Sequence, residues 1–293
     1  MKKFLPKKLI NTIKRIIPNK KNKLLKKLEF SNSEKVINLG SDYGGWSFLD
    51  SKNLENRFII SAGLGEDASF DIEIINKYNC KVICVDPTPK AIDHYNQIID
   101  NSGNLGSNFY KEGGKQNISS YDLTKINKNN FILIDNALYN VDNEELKFFA
   151  PLNKNHVSHS ISDWQNNYKK TSDFIKVKTI TIKSILNKFD INNLEILKLD
   201  IEGAEVEVIK YILSEKIFPN QILVEFDELN NINELAINRF EEVHQMLLSK
   251  NYNLIKTTNN FPDFLYSRWA DSIEYWLFKI FFWVPFELLI KMI

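Results

Sequence analysis

Short runs rich in Val, Ile and Leu alternate with stretches of helical period along most of this chain, and no other feature limits its fold as much. "NRFIISAG", "KVICVD", "NFILID", "LEILKLD" and "QILVEFD" read as strands; "SFDIEIINKY", "PKAIDHYNQII", "AEVEVIKYIL" and "INELAINRFEEVHQMLLSK" read as helices between them. "KVIN", "LKFFA" and the alternating "FIKVKTITI" are further strands, "IKSILNKF" a further helix, and "YNLIKT" with "DFLYSR" a closing strand pair. Strands separated by helices of this length predict a parallel sheet covered on both faces, an α/β doubly wound, Rossmann-like domain. With 293 residues and 43% hydrophobic content the chain can bury such a core. The domain is expected over 31–268, between a basic arm (1–30) and an aromatic, apolar segment (269–293).

In an open parallel sheet, ligands bind outside the carboxyl ends of the strands, near the point where strand order reverses. The residues just after each strand are therefore the candidates. Phe58–Ala62 is followed by "GLGED", where Gly63 and Gly65 let the backbone turn sharply and approach a ligand without a Cβ between. Alone, G-x-G is equally a plain turn, and it lacks the third glycine of a dinucleotide fingerprint. "KVICVD" then ends in Asp86, at the spacing of about 20 residues where an acid can accept ribose hydroxyls. Glycine turn and acid, in that order, point to a nucleoside cofactor. In "IDNALYN", Asp135 or Asn136 can reach an adenine edge.

The stretch "EILKLDIEGAE" sets Asp200 and Glu202 two residues apart, on one side of a strand end, with Gly203 permitting a turn. Glu205 falls in the first helical turn, where a carboxylate gains ~0.3–1 kcal/mol from the helix dipole. Asp200 and Glu202 have no such structural account. Two carboxylates at a ligand-binding edge repel unless a substrate hydroxyl, a charged cofactor centre or a metal lies between them. Asp200 with Glu225 or Asp227 is an oxygen set of the kind magnesium takes, yet no ligand spacing demands it and no metal is expected.

The formal net charge of +1 conceals an asymmetry. The first thirty residues carry eleven Lys/Arg and one acid, Glu29, leaving 27 basic and 36 acidic side chains in the rest. An acidic body argues against nucleic acid as a partner, because phosphate binding needs a basic face. In the arm, Phe4, Leu5, Leu9, Ile13, Ile16 and Ile17 recur at helical spacing among lysines. Such a helix can lie on an anionic membrane surface, at ~1 kcal/mol per basic residue; the alternative is a solvated tail. In "WADSIEYWLFKIFFWVPFELLIKMI" the longest charge-free run, Ile280 to Phe286, is far short of the ~20 residues a span needs. An interfacial helix, or one docked on the domain or a partner, is expected instead. No secretory signal is expected, because charges run through the first residues without an apolar core, and Cys80 and Cys84 read as buried, reduced thiols. The expected location is cytoplasmic, with peripheral attachment to the inner membrane face.

Four segments together, "FIISAGLGEDASFD", "VICVDPTPKA", "IDNALYNVDNEELKFFAP" and "ILKLDIEGAEVEVI", resemble the FkbM-type methyltransferases, which use S-adenosylmethionine. The last is close to that family's K-[IVL]-D-[IVL]-E-G-A-E signature. The resemblance runs from Arg57 to Arg268 and implies a seven-stranded methyltransferase sheet with its last strand antiparallel. It implies that Gly63, Gly65 and Asp86 hold the methionine end and ribose of the cofactor, while Asp200 and Glu202 face the transferred methyl. Ala68 and Ser69 stand where many relatives have another glycine, and Asp86 where Glu is more usual. "NLGSDYGGWSF" lies outside the common core and fits a loop folded over the site, with Trp46 either a core anchor or a sugar-stacking platform.

Members of the family are typically linked to O-methylation, often of sugars in surface glycans or other natural products. Since the donor methyl is already activated, the protein must align an acceptor hydroxyl with it and remove the hydroxyl proton. Candidate bases are Asp200, Glu202 and, in "NHVSHSISDW", His159, with His156 weaker. His94 and His244, in helical stretches, read as structural or solvated. Two other classes stay open: a membrane-attached binding or scaffold protein that keeps the fold without catalysis, and a nicotinamide-dependent oxidoreductase. The missing third glycine and the closing strand pair disfavour the latter.

Overall fold

The computed structural model describes residues 20–31, 35–149, 174–257 and 261–268. In chain order they form α1 (Lys20–Leu25), β1 (Val36–Leu39), β2 (Trp46–Leu49), β3 (Phe58–Ala62), α2 (Ser69–Tyr78), β4 (Lys81–Val85), α3 (Pro89–Asp100), β5 (Phe131–Ile134), β6 (Ala137–Leu138), β7 (Glu145–Phe149), β8 (Phe174–Ile180), α4 (Ile182–Lys188), β9 (Ile196–Leu199), α5 (Glu205–Ser214), β10 (Gln221–Glu225), α6 (Glu234–Ser249), β11 (Tyr252–Thr257) and β12 (Asp263–Arg268). Seven strands make one sheet in the order β5-β4-β3-β9-β10-β12-β11. Strands β3, β4, β5, β9 and β10 pair in parallel, and β12 runs antiparallel to both of its neighbours. This is the Rossmann-like methyltransferase sheet with a reversed last strand. Chain order reverses between β3 and β9, which puts the switch point there.

Alternation along the strands sends side chains into two separate cores. Ile60, Ala62, Ile83, Val85, Leu197, Leu199, Ile222 and Val224 face one side and pack under α4, α5 and α6. Ile59, Val82, Cys84, Ile196 and Leu223 face the other, under α2 and α3. The second core is interrupted near the sheet's carboxyl edge, because Lys198 takes an inward position between apolar neighbours and is only 4% exposed. Cys80 and Cys84 are buried and free, and burial pushes the Cys80 thiol up to about 12. His94 and His244 are also core residues, each hydrogen-bonded to a buried tyrosine hydroxyl, Tyr121 or Tyr266, at 2.9 Å.

Three segments differ from the sequence-based expectation. The runs "LKFFA" and "FIKVKTITI" are strands, but they join β6 in a separate three-stranded sheet, β6-β8-β7. Their alternation buries one face only, around Ala137, Phe148 and Val177, whereas the central strands must be apolar on both. The stretch expected as a loop over the site contains β2, paired antiparallel with β1. The basic arm does not end at residue 30 in isolation: Leu24 of α1 is buried in the first core, and Ser31 N–H donates to the Leu254 carbonyl at 2.8 Å. Residues 1–19 and 269–293, which carry the membrane-surface expectations, lie outside the described residues. Among the described residues no helix is long and apolar enough to cross a membrane.

Candidate active site

The sheet register sets four carboxylates and one glycine in a single row across the carboxyl edge. Ala62 pairs with Val85 on one side and Leu199 on the other, and Leu199 pairs with Val224. One residue further on, the ladder continues through Gly63 N–H to Val85 O (3.0 Å) and Asp200 N–H to Ala62 O (3.1 Å). Glu225 is in turn opposite Asp263 of β12. The row is thus Asp86, Gly63, Asp200, Glu225, Asp263, spanning the switch point. All five line one cavity of about 640 Å³, a volume within the usual range of small-molecule sites.

Gly63 is the narrow place in the row. Its φ is +84°, and a Cβ there would lie 1.8 Å from the Asp200 carbonyl oxygen. Only a residue without a side chain lets β3 turn away at the point where β9 crosses beside it. Gly65 is different: its φ is +58°, but nothing stands within 4 Å of a Cβ. The loop between them is held by Asp86. One carboxylate oxygen accepts from the Leu64 and Gly65 amides, both at 3.0 Å; the other accepts from the Thr88 amide and hydroxyl at 2.9 and 2.7 Å. These four donors match the four acceptor positions of a carboxylate. Holding the loop is therefore a full role for Asp86 in the free protein.

On the other side of Gly63, β9 ends at Leu199 and the chain turns through Glu202 (φ +55°) and Gly203 (φ +103°). Left-handed backbone at a non-glycine residue is strained by roughly 1–2 kcal/mol and persists where surroundings impose it. Here Glu205 imposes it. Its buried carboxylate reaches back to accept from Ile201 N–H (2.8 Å) and Gly203 N–H (2.9 Å), so its role is to close the turn rather than to face the cavity. Asp200 and Glu202 both line the cavity, Asp200 placed by the β9 register and Glu202 by this turn.

Lys198 lies beneath the row. Its Nζ donates to the Gly63 carbonyl at 2.6 Å and sits 5.4 Å from the centre of the Trp46 ring. Asp71 and Asp200 flank it: burial raises both carboxyls, and Lys198 is the main opposing influence on each. Asp200 keeps some surface open to the cavity, yet lies deep enough for burial to dominate. Glu225 is pushed up to about 9 by burial first, then by Asp200 and Asp263.

The β1–β2 hairpin and the loop before β5 also border the cavity. Ser41 Oγ donates to Asp67 Oδ2 (2.6 Å), and the Gly40 amide to Glu73 Oε2 (2.8 Å). Gln116 Nε2 also donates to Asp67 Oδ2, at 3.2 Å, and Lys115 pairs with Glu66 at 2.6 Å. Tyr43 packs so closely over Gly114 that a Cβ there would lie 2.5 Å from its ring. Trp46 is 4% exposed and belongs to the second core while also lining the cavity. It anchors the hairpin first.

The model of the Methyltransferase FkbM domain matches residues 52–254. The chain belongs to the FkbM methyltransferase family. No curated protein and no solved structure matched it. The FkbM match begins after the β1–β2 hairpin, so Asp42, Tyr43, Gly44, Gly45 and Trp46 add to the cavity from outside the shared domain.

Of the residues singled out from sequence, Gly63, Gly65, Asp86, Asp200 and Glu202 come together around the cavity. Asp135 and Asn136 do not line it. Asp135 is exposed and Asn136 Nδ2 donates to the Lys178 carbonyl at 3.1 Å, while the next two residues, Ala137 and Leu138, face the cavity. His156 and His159 lie outside the described residues. Lys198 was overlooked, although a lysine inside the apolar run "EILKL" is itself a signal, since strand alternation buries it beside Ile196. Asp263 carries no local signal; only the antiparallel register of β12 brings it to the edge. Among the described residues no group of His, Cys, Asp and Glu is arranged to hold a metal ion.

S-adenosylmethionine fits the chemistry of this wall. A cationic sulfonium and an ammonium are suited to a cavity bordered by Asp67, Asp86, Asp200, Glu202, Glu225 and Asp263, and the Gly63 turn brings backbone rather than side chain to its edge.

Proposed function

We propose that this FkbM enzyme transfers the methyl of S-adenosylmethionine to a hydroxyl oxygen, on a sugar or a related polyhydroxylated acceptor. The observation that carries the reading is the row at the switch point: a glycine with no room for a Cβ, flanked by Asp86 and Asp200. Gly63 and Gly65 border the methionine end of the cofactor. Asp86 meets the ribose, whose hydroxyl takes the place of the Thr88 hydroxyl, the one donor of its four that rotates freely. Bound here, the cofactor would supply a methyl group activated for transfer to the acceptor oxygen, with the bonding electrons left on sulfur. Asp200 takes the acceptor's proton, Glu202 accepts from a neighbouring hydroxyl, and the hairpin with the Glu112–Gly114 loop borders the space for the acceptor.

Calorimetric titration tests the cofactor assignment. Wild-type protein is expected to bind S-adenosylmethionine saturably and NAD not at all. Asp86→Ala is expected to lose binding by a hundredfold or more, on the order of 3 kcal/mol, because it frees the loop amides as well as the ribose contact. A folded wild-type protein that binds NAD instead would return the chain to the oxidoreductase class, and one that binds neither would favour the non-catalytic scaffold.

We also propose peripheral attachment to the inner membrane face, supported by the basic arm and the aromatic C-terminal segment. Removing 1–19 and 269–293 should then move the protein from the membrane to the soluble fraction; an unchanged partition would remove this proposal.

A further inference from the structure

Glu225 is a cavity acid to which the proposed methyl transfer gives no part. It follows Val224, the register partner of Leu199, so its side chain stands beside that of Asp200 at the end of the neighbouring strand, at a strand spacing of about 4.8 Å. Two carboxyl groups on adjacent strand ends repel if both are ionised, so the pair favours holding one proton. An ionised carboxylate only accepts, whereas a protonated carboxyl has one O–H to donate to its neighbour. The surroundings decide which group keeps the proton. Asp200 has Lys198 on its own strand, two residues back, as a counter-charge, with Asp86 the acid on its other side. Glu225 has acids around it instead: Asp263 opposite on β12, Glu202 in the turn after β9, and Asp227 just beyond β10. Its one neutral donor is Asn230 Nδ2, 3.0 Å from Oε1, and that amide also donates to Asp227 Oδ1 at 3.2 Å. Tyr43 faces the same group from the hairpin. Its hydroxyl is raised by partial burial and then by Asp200, Glu202 and Glu225, although most of its surface is open to solvent.

We propose that Asp200 and Glu225 work as one unit holding a single proton: Glu225, a positioning residue, donates its O–H to one Asp200 oxygen and so presents the other, ionised and oriented, to the acceptor hydroxyl. The functional half of this statement rests on the methyl-transfer reading above, but the proton itself does not. Asn230 fixes the Glu225 carboxyl by donating to the oxygen that acts as carbonyl, which leaves the other for the O–H. A pair of this kind separates an acid from a base without a histidine, because opposite environments push two like groups apart.

The test is a pH titration of carbon-13-labelled side-chain carboxyls by NMR on the whole chain, comparing wild type with Glu225→Gln and Asp200→Asn. Glu225→Gln keeps a donor toward Asp200 and nearly the same shape. In the wild type one carboxyl should titrate near pH 9. It should vanish in Glu225→Gln and move down by about one unit or more in Asp200→Asn, where the neighbouring charge is gone. The proposal is overturned if the Glu225 carboxyl, assigned separately from buried Glu205, which burial also raises, titrates below about pH 7 in the wild type, still far beyond the ordinary glutamate range, or if its titration stays in place in Asp200→Asn. Since the wild-type measurement alone can refute it, a variant that fails to fold does not protect it. Calorimetry with S-adenosylmethionine on the same samples separates the two readings. A high-titrating carboxyl without cofactor binding keeps the proton pair and removes the methyl donor; binding without that carboxyl does the reverse.

Discussion

Gly63→Ala is expected to destabilise the protein by about 3–5 kcal/mol and to abolish S-adenosylmethionine binding. Two costs add. Alanine at φ +84° enters a backbone region that L-residues avoid, at roughly 1–2 kcal/mol. The larger part is steric: the new Cβ would stand 1.8 Å from the Asp200 carbonyl oxygen and 3.3 Å from the Asp200 Cβ. Neither neighbour can yield alone. Asp200 is tied to Ala62 by its amide, and the Gly63 carbonyl is held by Lys198, so β3 and β9 must separate at the switch point. For a domain of this size the fall in Tm would be about 10 °C. Gly65→Ala is the matched control. It carries the left-handed penalty (φ +58°) with open space around the Cβ, so about 1 kcal/mol is expected. Thermal denaturation of the two variants decides the matter; equal losses would mean that the close approach to Asp200 relaxes at little cost.

Lys198→Met should be as damaging, and its effect should depend on pH. Methionine replaces the length of the lysine while leaving Asp71 (1% exposed) and Asp200 without their nearest cation and the Gly63 carbonyl without its donor. Removing one member of a buried charge pair costs roughly 3–5 kcal/mol. The sign of the pH dependence follows from the carboxyls that remain. An acid whose folded pKa is raised binds more protons in the folded than in the unfolded state, so stability is greatest at low pH and falls as pH rises toward the folded value. Wild type already has this trend through Asp227, raised to about 7, and Glu225, raised to about 9, both chiefly by burial. Loss of Lys198 raises Asp71 and Asp200 further. Urea denaturation should therefore show a deficit that is small near pH 5 and largest near pH 8. A deficit that is constant across that range would make Lys198 a packing residue rather than a counter-charge.

The doubly wound sheet was legible because its information is local. A strand buried on both faces must be apolar throughout, as in "KVICV", and a covering helix must be apolar on one face, as in "SFDIEIINKY". These periods survive in one dimension. Where a strand is buried on one face only, period alone says strand but not which sheet, and β7 and β8 were assigned correctly in type without their separate sheet being visible. Glycine at 63, acid at 86 and the D-x-E-G turn at 200–203 were visible for the same reason: each has to satisfy a backbone demand within a few residues of itself. Asp135 and Asn136 show the limit of that reasoning. They follow a strand as Asp86 does, but Asp135 is exposed and Asn136 is bonded to the Lys178 carbonyl, while Ala137 and Leu138 line the cavity.

By itself, the sequence determined the order of strands and helices, the glycine turn, the acids that follow two central strands, and membership in a family of methyltransferases. The tertiary structure alone decided that Asp263, on the last strand, stands beside Glu225, that Lys198 sits under the glycine turn, and that a hairpin outside the family domain borders the cavity. The reason is physical. Propensity and periodicity act between residues a few positions apart, whereas charges interact through space, and register across a sheet can bring together acids that are 114 positions apart in the chain, as Asp86 and Asp200 are on either side of Gly63. What each of those carboxyls does with its proton is set by neighbours that no local pattern names.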